Sequence, residues 1–187
     1  MQFVLKAKKE DLSVLFKVAN KKDKYLLKNT DLSQLEISLK YVGPVASAAG
    51  VSFEETAAAV VLLGTVGIQG SSAGTGLRCF LNSLFNPSKE AAAGLEKLGI
   101  TVTDASGNFV GIADVLSQFE VGLQKIQDDT DKIETLLQIF GQQGLRNITA
   151  LLLSGSAALI ELTSLTEFTE KLENSAGTVH KIIWCCC

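Results

Sequence analysis

Glycine spacing is the feature that most constrains how this chain can fold. Between residues 40 and 100, short apolar stretches with helical periodicity are joined by glycines, and the segment 56–77 contains no charged residue. Glycine readily ends a helix because it adopts left-handed backbone conformations without steric strain. The pattern therefore predicts a series of short helices packed through small side chains. The abundance of alanine and the 6% aromatic content favour the same interpretation over an aromatic β-sandwich core.

Capping residues predict where individual helices begin and end. Ser52 followed by Glu55 is typical of a capping box, in which the Ser52 hydroxyl accepts the Glu55 N–H and the Glu55 carboxylate accepts the Ser52 N–H. Ser71 or Ser72 is predicted to cap the next helix, and Thr130 a later one. The predicted helix ends are Gly50, Gly67, Gly99 and Gly141.

The apolar period changes near residue 100. Ile100 and Val102 alternate with threonines, a turn follows over 104–107, and the apolar pattern resumes at Phe109. This predicts a small β-hairpin near 100–110 that lies on the helices. The chain as a whole is therefore expected to be mainly α, a compact bundle of about nine short helices, the first over residues 10–19, with one hairpin.

Positive charge is concentrated at the start of the chain. Residues 1–28 contain eight lysines and three acidic residues, a balance of +5, so the remaining residues carry −8 of the total −3. A basic arm can bind nucleic acid, but no aromatic ladder or helical basic stripe accompanies these lysines. We expect residues 1–28 to be a basic, partly disordered leader without specific nucleic-acid binding.

No residue pattern indicates catalysis. His180 is the single histidine, and Cys79 has no candidate base, so its expected role is that of a small buried hydrophobe. The glycine-rich segment 70–76 lacks the Lys-Ser or Lys-Thr of a phosphate-binding loop, because Leu77 and Arg78 follow it. Tight helix packing is expected there, although backbone N–H groups at the helix start could hold an anion.

Metal sites are not predicted either. Asp104, Ser106 and Asn108 match the first positions of a calcium loop, but Phe109 and Val115 stand where glycine and a bidentate glutamate are required. An ordinary turn explains these residues. We therefore expect no catalytic, cofactor-binding or metal-binding residues, and no cofactor.

The last residues differ from the rest of the chain. Trp184 is followed by Cys185, Cys186 and Cys187, whose adjacency does not fit zinc-ligand spacing. We expect residues 182–187 to be a non-native-looking, cysteine-rich tail, typical of a shifted reading frame or a truncation.

An ordered set of short sequences runs through residues 29–181. Its main members are 41–46 (YVGPVA), 67–71 (GIQGS), 96–100 (EKLGI), 139–141 (IFG) and 172–177 (LENSAG). In this order the set resembles the core region of phage and prophage tail tape measure proteins. The resemblance implies a structural, non-enzymatic core domain over 29–181 that acts in tail length determination and tail assembly. It also implies the virion tail, and the host cytoplasm during assembly, as the location, with tail tube and tail assembly chaperone proteins as partners.

Two other functions stay open from the sequence. The apolar stretch 57–68 is compatible with a membrane-active helical module that aids DNA passage through the cell envelope, although its length is more typical of a buried core helix. A cell-wall hydrolase segment is the other alternative, found in some longer tape measure proteins. Wide apolar helix faces and a mean hydropathy of +0.26 predict self-association.

Overall fold

The structure is a computed structural model and describes residues 32–164. This region contains seven helices. They are α1 (Leu32–Ala48), α2 (Phe53–Thr65), α3 (Gly70–Phe85), α4 (Lys89–Leu98), α5 (Ile112–Gln124), α6 (Asp129–Ser154) and α7 (Ser156–Ser164). The predicted mainly α fold is confirmed. Gly50, Gly67 and Gly99 follow the ends of α1, α2 and α4 with positive φ, as their spacing predicts.

Helix α2 forms the centre of the fold. Its nine consecutive residues from Thr56 to Gly64 are all buried, so no side of the helix faces solvent over this length. A helix that is apolar all round is typical of a protein interior. Helices α1, α3 and α6 pack around it, which explains why the segment carries no charge.

Helix α3 packs between α1 and α6. Gly74 lies directly against the Ser38 carbonyl oxygen of α1, where any larger side chain would collide with the backbone. The buried Ser38 hydroxyl lies 2.8 Å from the Gly70 carbonyl oxygen and fixes the first turn of α3 against α1. The prediction of tight helix packing over 70–76 is confirmed.

Helix α6 contains a backbone break at Gly141, which has φ 63° and ψ 179°. The predicted helices on either side of this glycine therefore form one bent element, and residues 32–164 contain seven helices instead of the eight or so predicted there. The predicted helix over 10–19 lies outside the described residues. Just before the break, Phe140 packs its ring against Phe80 of α3 and Phe119 of α5, with ring centroids 5.3 and 5.4 Å apart.

Two predicted caps are wrong. Helix α3 begins at Gly70, which places Ser71 and Ser72 within its first turn instead of at the cap. The Ser38 hydroxyl of α1 donates to the Gly70 carbonyl in this first turn. Helix α6 is capped by Asp128, whose carboxylate accepts the Thr130 N–H at 2.8 Å. Aspartate is a better N-cap than threonine, so Asp128 takes this position.

The predicted hairpin near 100–110 is reduced to a single antiparallel bridge between Thr103 and Phe109. Two ladder hydrogen bonds flank this bridge, from the Asp104 N–H to the Asn108 carbonyl at 2.8 Å and from the Val110 N–H to the Val102 carbonyl at 3.1 Å. The second strand ends there because α5 begins at Ile112, directly after Gly111. The Gln118 side chain of α5 binds the outward-facing backbone of Thr101, accepting its N–H at 2.6 Å and donating to its carbonyl at 3.1 Å. The turn itself is held by Asp104, whose carboxylate accepts the N–H groups of Ser106 and Asn108, both at 2.8 Å.

Between residues 32 and 164, no single helix is long and apolar enough to cross a bilayer. Helices α6 and α7 together reach the necessary length and composition, but they are bent by 76° relative to each other.

Candidate interaction surface

An open cleft of ≈ 390 Å³ lies between the start of α3 and the part of α6 that follows Gly141. We call it the α3–α6 cleft. Its lining is polar for the most part and consists of Ser71, Ser72, Thr75, Gly76, Cys79, Gln142, Gln143, Arg146 and Asn147. The break at Gly141 gives the second half of α6 its separate direction, so the break also positions this cleft.

The α3 wall of the cleft presents the beginning of a helix. The first N–H groups of a helix have no acceptor within it, and the helix dipole places partial positive charge there. The Gln69 side chain at the N-cap position makes no capping hydrogen bond to these groups. Ser71 and Ser72 are exposed beside them, so this wall offers hydrogen-bond donors to solvent.

The α6 wall contributes the one charged residue of the cleft, Arg146. Its side chain is exposed, and among the residues described it forms no ion pair within 4.0 Å. No carboxylate lines the cleft, although residues 32–164 contain 13 acidic and seven basic residues, a net charge of −6. The cleft is therefore a locally positive site on an acidic module.

Asn147 lies on the cleft lining and is only 2% exposed. Its Nδ2 donates to the Gln143 carbonyl at 3.1 Å, whereas its buried Oδ1 accepts no hydrogen bond from the described residues. Leaving a buried acceptor unpaired costs about 1–3 kcal/mol. The amide packs directly onto Gly76, where a side chain would overlap it.

The residues considered for chemistry in the sequence are dispersed. Cys79 is half-buried at the edge of the α3–α6 cleft, so the expectation that it is a buried core residue is wrong. Asp104 is committed to its turn, and hydrogen bonds led by the Asn108 backbone N–H lower its pKa. His180 and Cys185–Cys187 lie outside the described residues. Within 32–164, no three histidine, cysteine, aspartate or glutamate side chains are grouped for metal binding.

Half of the capping box predicted at Ser52 is confirmed. The Ser52 hydroxyl accepts the Glu55 N–H at 3.1 Å, but the Glu55 carboxylate accepts the N–H of Ala113 at 3.0 Å. Glu55 therefore caps α5, a helix that begins after Gly111 and has no side-chain cap of its own. Burial raises the pKa of Glu55, and the hydrogen bonds from Ala113 and Ile112 partly oppose that increase.

A second glutamate caps a distant helix in the same way. The Glu120 carboxylate of α5 accepts the Ser156 N–H at 2.7 Å and the Ser156 hydroxyl at 2.9 Å, at the start of α7. The two glutamates thus connect α2 to α5 and α5 to α7. The capping box suggested a local role for Glu55, and nothing local in the sequence indicates the pairing of Glu120 with Ser156.

The chain is similar in sequence to known proteins. Residues 11–141, which are 131 of the 187, match the family model described as "Phage-related minor tail protein". The chain belongs to this family. No solved structure matches this member of the minor tail protein family.

Curated relatives of this minor tail family member carry tape measure names. The "Tape measure protein" of Pneumococcus phage Dp-1 is 32% identical over 154 residues, which cover 82% of this chain and 13% of that protein. The "Probable tape measure protein" of Escherichia phage P2 is 34% identical over 132 residues, which cover 70% of this chain and 16% of that protein. The resemblance to tape measure proteins noted in the sequence is confirmed, and the chain spans less than one-fifth of the length of either relative.

Proposed function

We propose that this chain is a structural module of a tape measure protein and acts in tail length determination and tail assembly. The observation that supports this most directly is the likeness to two tape measure proteins over 70% and 82% of the chain. We propose no enzymatic role, in keeping with the structural nature of these relatives.

The helical architecture suggests how such a module contributes. The longest helix in the described region, α6, has 26 residues and is broken at Gly141, so it extends at most ~39 Å at 1.5 Å per residue. A length-measuring segment gains most from extended or continuous helical chain, whereas this region packs its helices around α2. We therefore assign it a docking or assembly role within the ruler protein.

Exposed apolar side chains support contacts with other tail components. They occur on several helices and include Tyr41, Val66, Val121, Ile133, Leu137, Leu153 and Ile160. Leu153 has the largest exposed fraction of these residues, 80%. We propose tail tube proteins, tail assembly chaperones and further copies of this chain as partners, in the virion tail and, during assembly, in the host cytoplasm.

A membrane-active role is less well supported. The apolar stretch that suggested it forms most of α2, and its residues Ala57–Leu63 are all buried among the other helices. Insertion of α2 into a bilayer would require the fold around it to open. No feature of the described region favours a cell-wall hydrolase.

The proposal can be tested by measuring tail number and tail length in a phage whose tape measure gene encodes this chain. An in-frame deletion of residues 32–164 and the core substitution Leu63→Asp are expected to reduce tail number strongly, because both remove the folded module. Glu134→Ala, on an exposed position of α6, serves as the matched control and should leave tails normal.

Electron microscopy of the particles separates the outcomes. Normal numbers of tails shortened by ~200 Å in the deletion would show that the 133 residues act as a linear spacer at 1.5 Å per residue. Tails of normal number and length in both the deletion and the Leu63→Asp phage would refute a role in assembly altogether.

A further inference from the structure

We infer that an exposed face at the start of α6 is the docking site for the lysine-rich residues 6–28 of the same chain. We call it the α6 face and define it by Asp129, Ile133 and Leu137, which follow one another at four-residue intervals. This goes beyond the proposed tail role and does not depend on it, because the charge and spacing of the chain's own residues define both surfaces.

Two of the exposed apolar side chains form the centre of the α6 face. Ile133 is 56% exposed and Leu137 is 37% exposed, and residues four positions apart lie next to each other on one side of a helix. The same row ends at Gly141, where no atom from another part of the fold lies within 4 Å of the place that a Cβ would take. The face is therefore open over about three helical turns.

Negative charge surrounds these apolar side chains. Residues 128–134 contain four acidic residues and Lys132, a net charge of −3, which is half of the −6 carried by residues 32–164. The Asp129 side chain is 89% exposed, and its ion pair with Lys132 at 2.6 Å involves the one basic residue of this stretch. Each exposed charge contributes little alone, but together they favour a positively charged partner segment.

The N-terminal segment has the matching composition. Residues 6–28 contain eight lysines and three acidic residues, a net charge of +5. Its apolar residues recur at helical spacing: Leu12, Leu15, Phe16 and Ala19. The helix predicted over 10–19 is about 15 Å long, and the α6 face with its continuation to Gly141 is about 18 Å long. Residues 165–187, at the other end of the chain, contain three glutamates and two lysines, so their charge has the wrong sign.

The chain enters the described region close to the α6 face. The Gln34 side chain, in the first turn of α1, lies against Gly70 at the start of α3. The next residue of α3, Ser71, lines the α3–α6 cleft together with Gln142, which directly follows Gly141. The connection from the apolar residues to α1 has 12 residues, 20–31, which span about 40 Å when extended. The segment can therefore reach the face within one chain.

Both surfaces also lie within the matched family region. This region covers residues 11–141, so it begins within the lysine-rich segment and ends where the row of the α6 face ends. Docking of the segment on the face brings the first and the last residues of the matched region into contact.

Hydrogen exchange of the full chain, followed by mass spectrometry at low salt, tests the docking. An isolated helix of ten residues is marginal in water, so slow exchange over residues 12–19 requires a contact. Exchange there should be at least about tenfold slower in the wild type than in the Ile133→Ser/Leu137→Ser protein. The matched control, Leu153→Ser/Ile160→Ser, removes two exposed apolar side chains elsewhere and should leave this exchange unchanged. Exchange in the buried helix α2 shows whether each variant remains folded.

The contribution of charge has its own pair of variants. Lys8 and Lys22 continue the apolar row of the predicted helix beyond its two ends, at steps of four and three residues. Lys8→Glu/Lys22→Glu should speed the exchange of residues 12–19 at least about fivefold, and added NaCl should act in the same direction. Lys40→Glu/Lys89→Glu makes the same change in net charge at exposed positions of α1 and α4 and should have no such effect.

Three results would overturn the inference. Equal exchange over residues 12–19 in the wild type and in the Ile133→Ser/Leu137→Ser protein would show that the α6 face does not hold the segment. Equal acceleration by the Lys8→Glu/Lys22→Glu and Lys40→Glu/Lys89→Glu substitutions would exclude charge complementarity as its cause. Protection that increases with protein concentration would assign the contact to a second copy instead of the same chain.

Discussion

Removal of the Glu55 carboxylate should destabilise the start of α5, a helix that is distant from Glu55 in the sequence but in contact with it in the fold. Glu55 belongs to α2, but its carboxylate binds the first N–H groups of α5, 58 positions along the chain. A side-chain N-cap contributes about 0.5–2 kcal/mol. Burial outweighs the extra strength that the charge gives to these hydrogen bonds, as the raised pKa shows, so we expect Glu55→Ala to cost no more than this range of about 0.5–2 kcal/mol.

The raised pKa of Glu55 adds a dependence on pH. Because the folded-state pKa lies above the unfolded value, the folded protein binds the proton more tightly, and the protonated carboxyl favours folding. This contribution is complete below the ordinary glutamate pKa of about 4.3 and is lost as pH rises through the raised folded value. Glu55→Gln keeps an uncharged acceptor and removes this titration, so the stability advantage of the wild type over this variant should shrink as pH rises from about 4.

Denaturant unfolding combined with hydrogen exchange tests the reasoning. Glu55→Ala should lower the free energy of unfolding and speed amide exchange in the first turn of α5, and Tm should fall by about 2–4 °C per kcal/mol for a chain of this size. Glu134→Ala, which removes an exposed carboxylate from α6, is the control. Unchanged exchange at Ala113 in the Glu55→Ala protein would refute the remote cap.

Three further substitutions test neighbouring contacts. Ser52→Ala should cost roughly 1 kcal/mol because it removes the hydroxyl that accepts the Glu55 N–H, and a denaturant melt that does not move would refute the cap. Gly74→Ala should destabilise by about 1–3 kcal/mol because the new methyl group meets the Ser38 carbonyl of α1, which thermal melts would register. Glu120→Ala should selectively speed hydrogen exchange at Ser156, and equal protection in both proteins would contradict its capping role.

The features that the sequence predicted well are those with local causes. Gly67 and Gly99 end helices because the positive φ they adopt depends on the residue itself, and Ser52 caps α2 through a neighbour three positions away. These signals lie within one or two helical turns, so a single sequence contains all the necessary information.

Some of the predictions that failed depended on distant partners. The hairpin is short because α5 begins at Ile112, where Glu55 of α2 binds its first turn, and the first turn of α3 is held by Ser38 of α1. Neither contact can be predicted from the sequence without knowing which helices pack against each other. The hypothesis that the start of this helix could hold an anion did not include Arg146, which lies 76 positions after Gly70, beyond the backbone break at Gly141 in α6.

The two remote glutamate caps also have a direction. Glu55 precedes the helix start at Ala113, and Glu120 precedes the helix start at Ser156, so each carboxylate is synthesised before the N–H groups that it binds. In a chain synthesised from its N-terminus, the carboxylates that cap α5 and α7 are therefore present before these helices form. Assembly of α2, α5 and α7 can follow the order of translation, because the first turns of α5 and α7 need no capping acceptor from a later part of the chain.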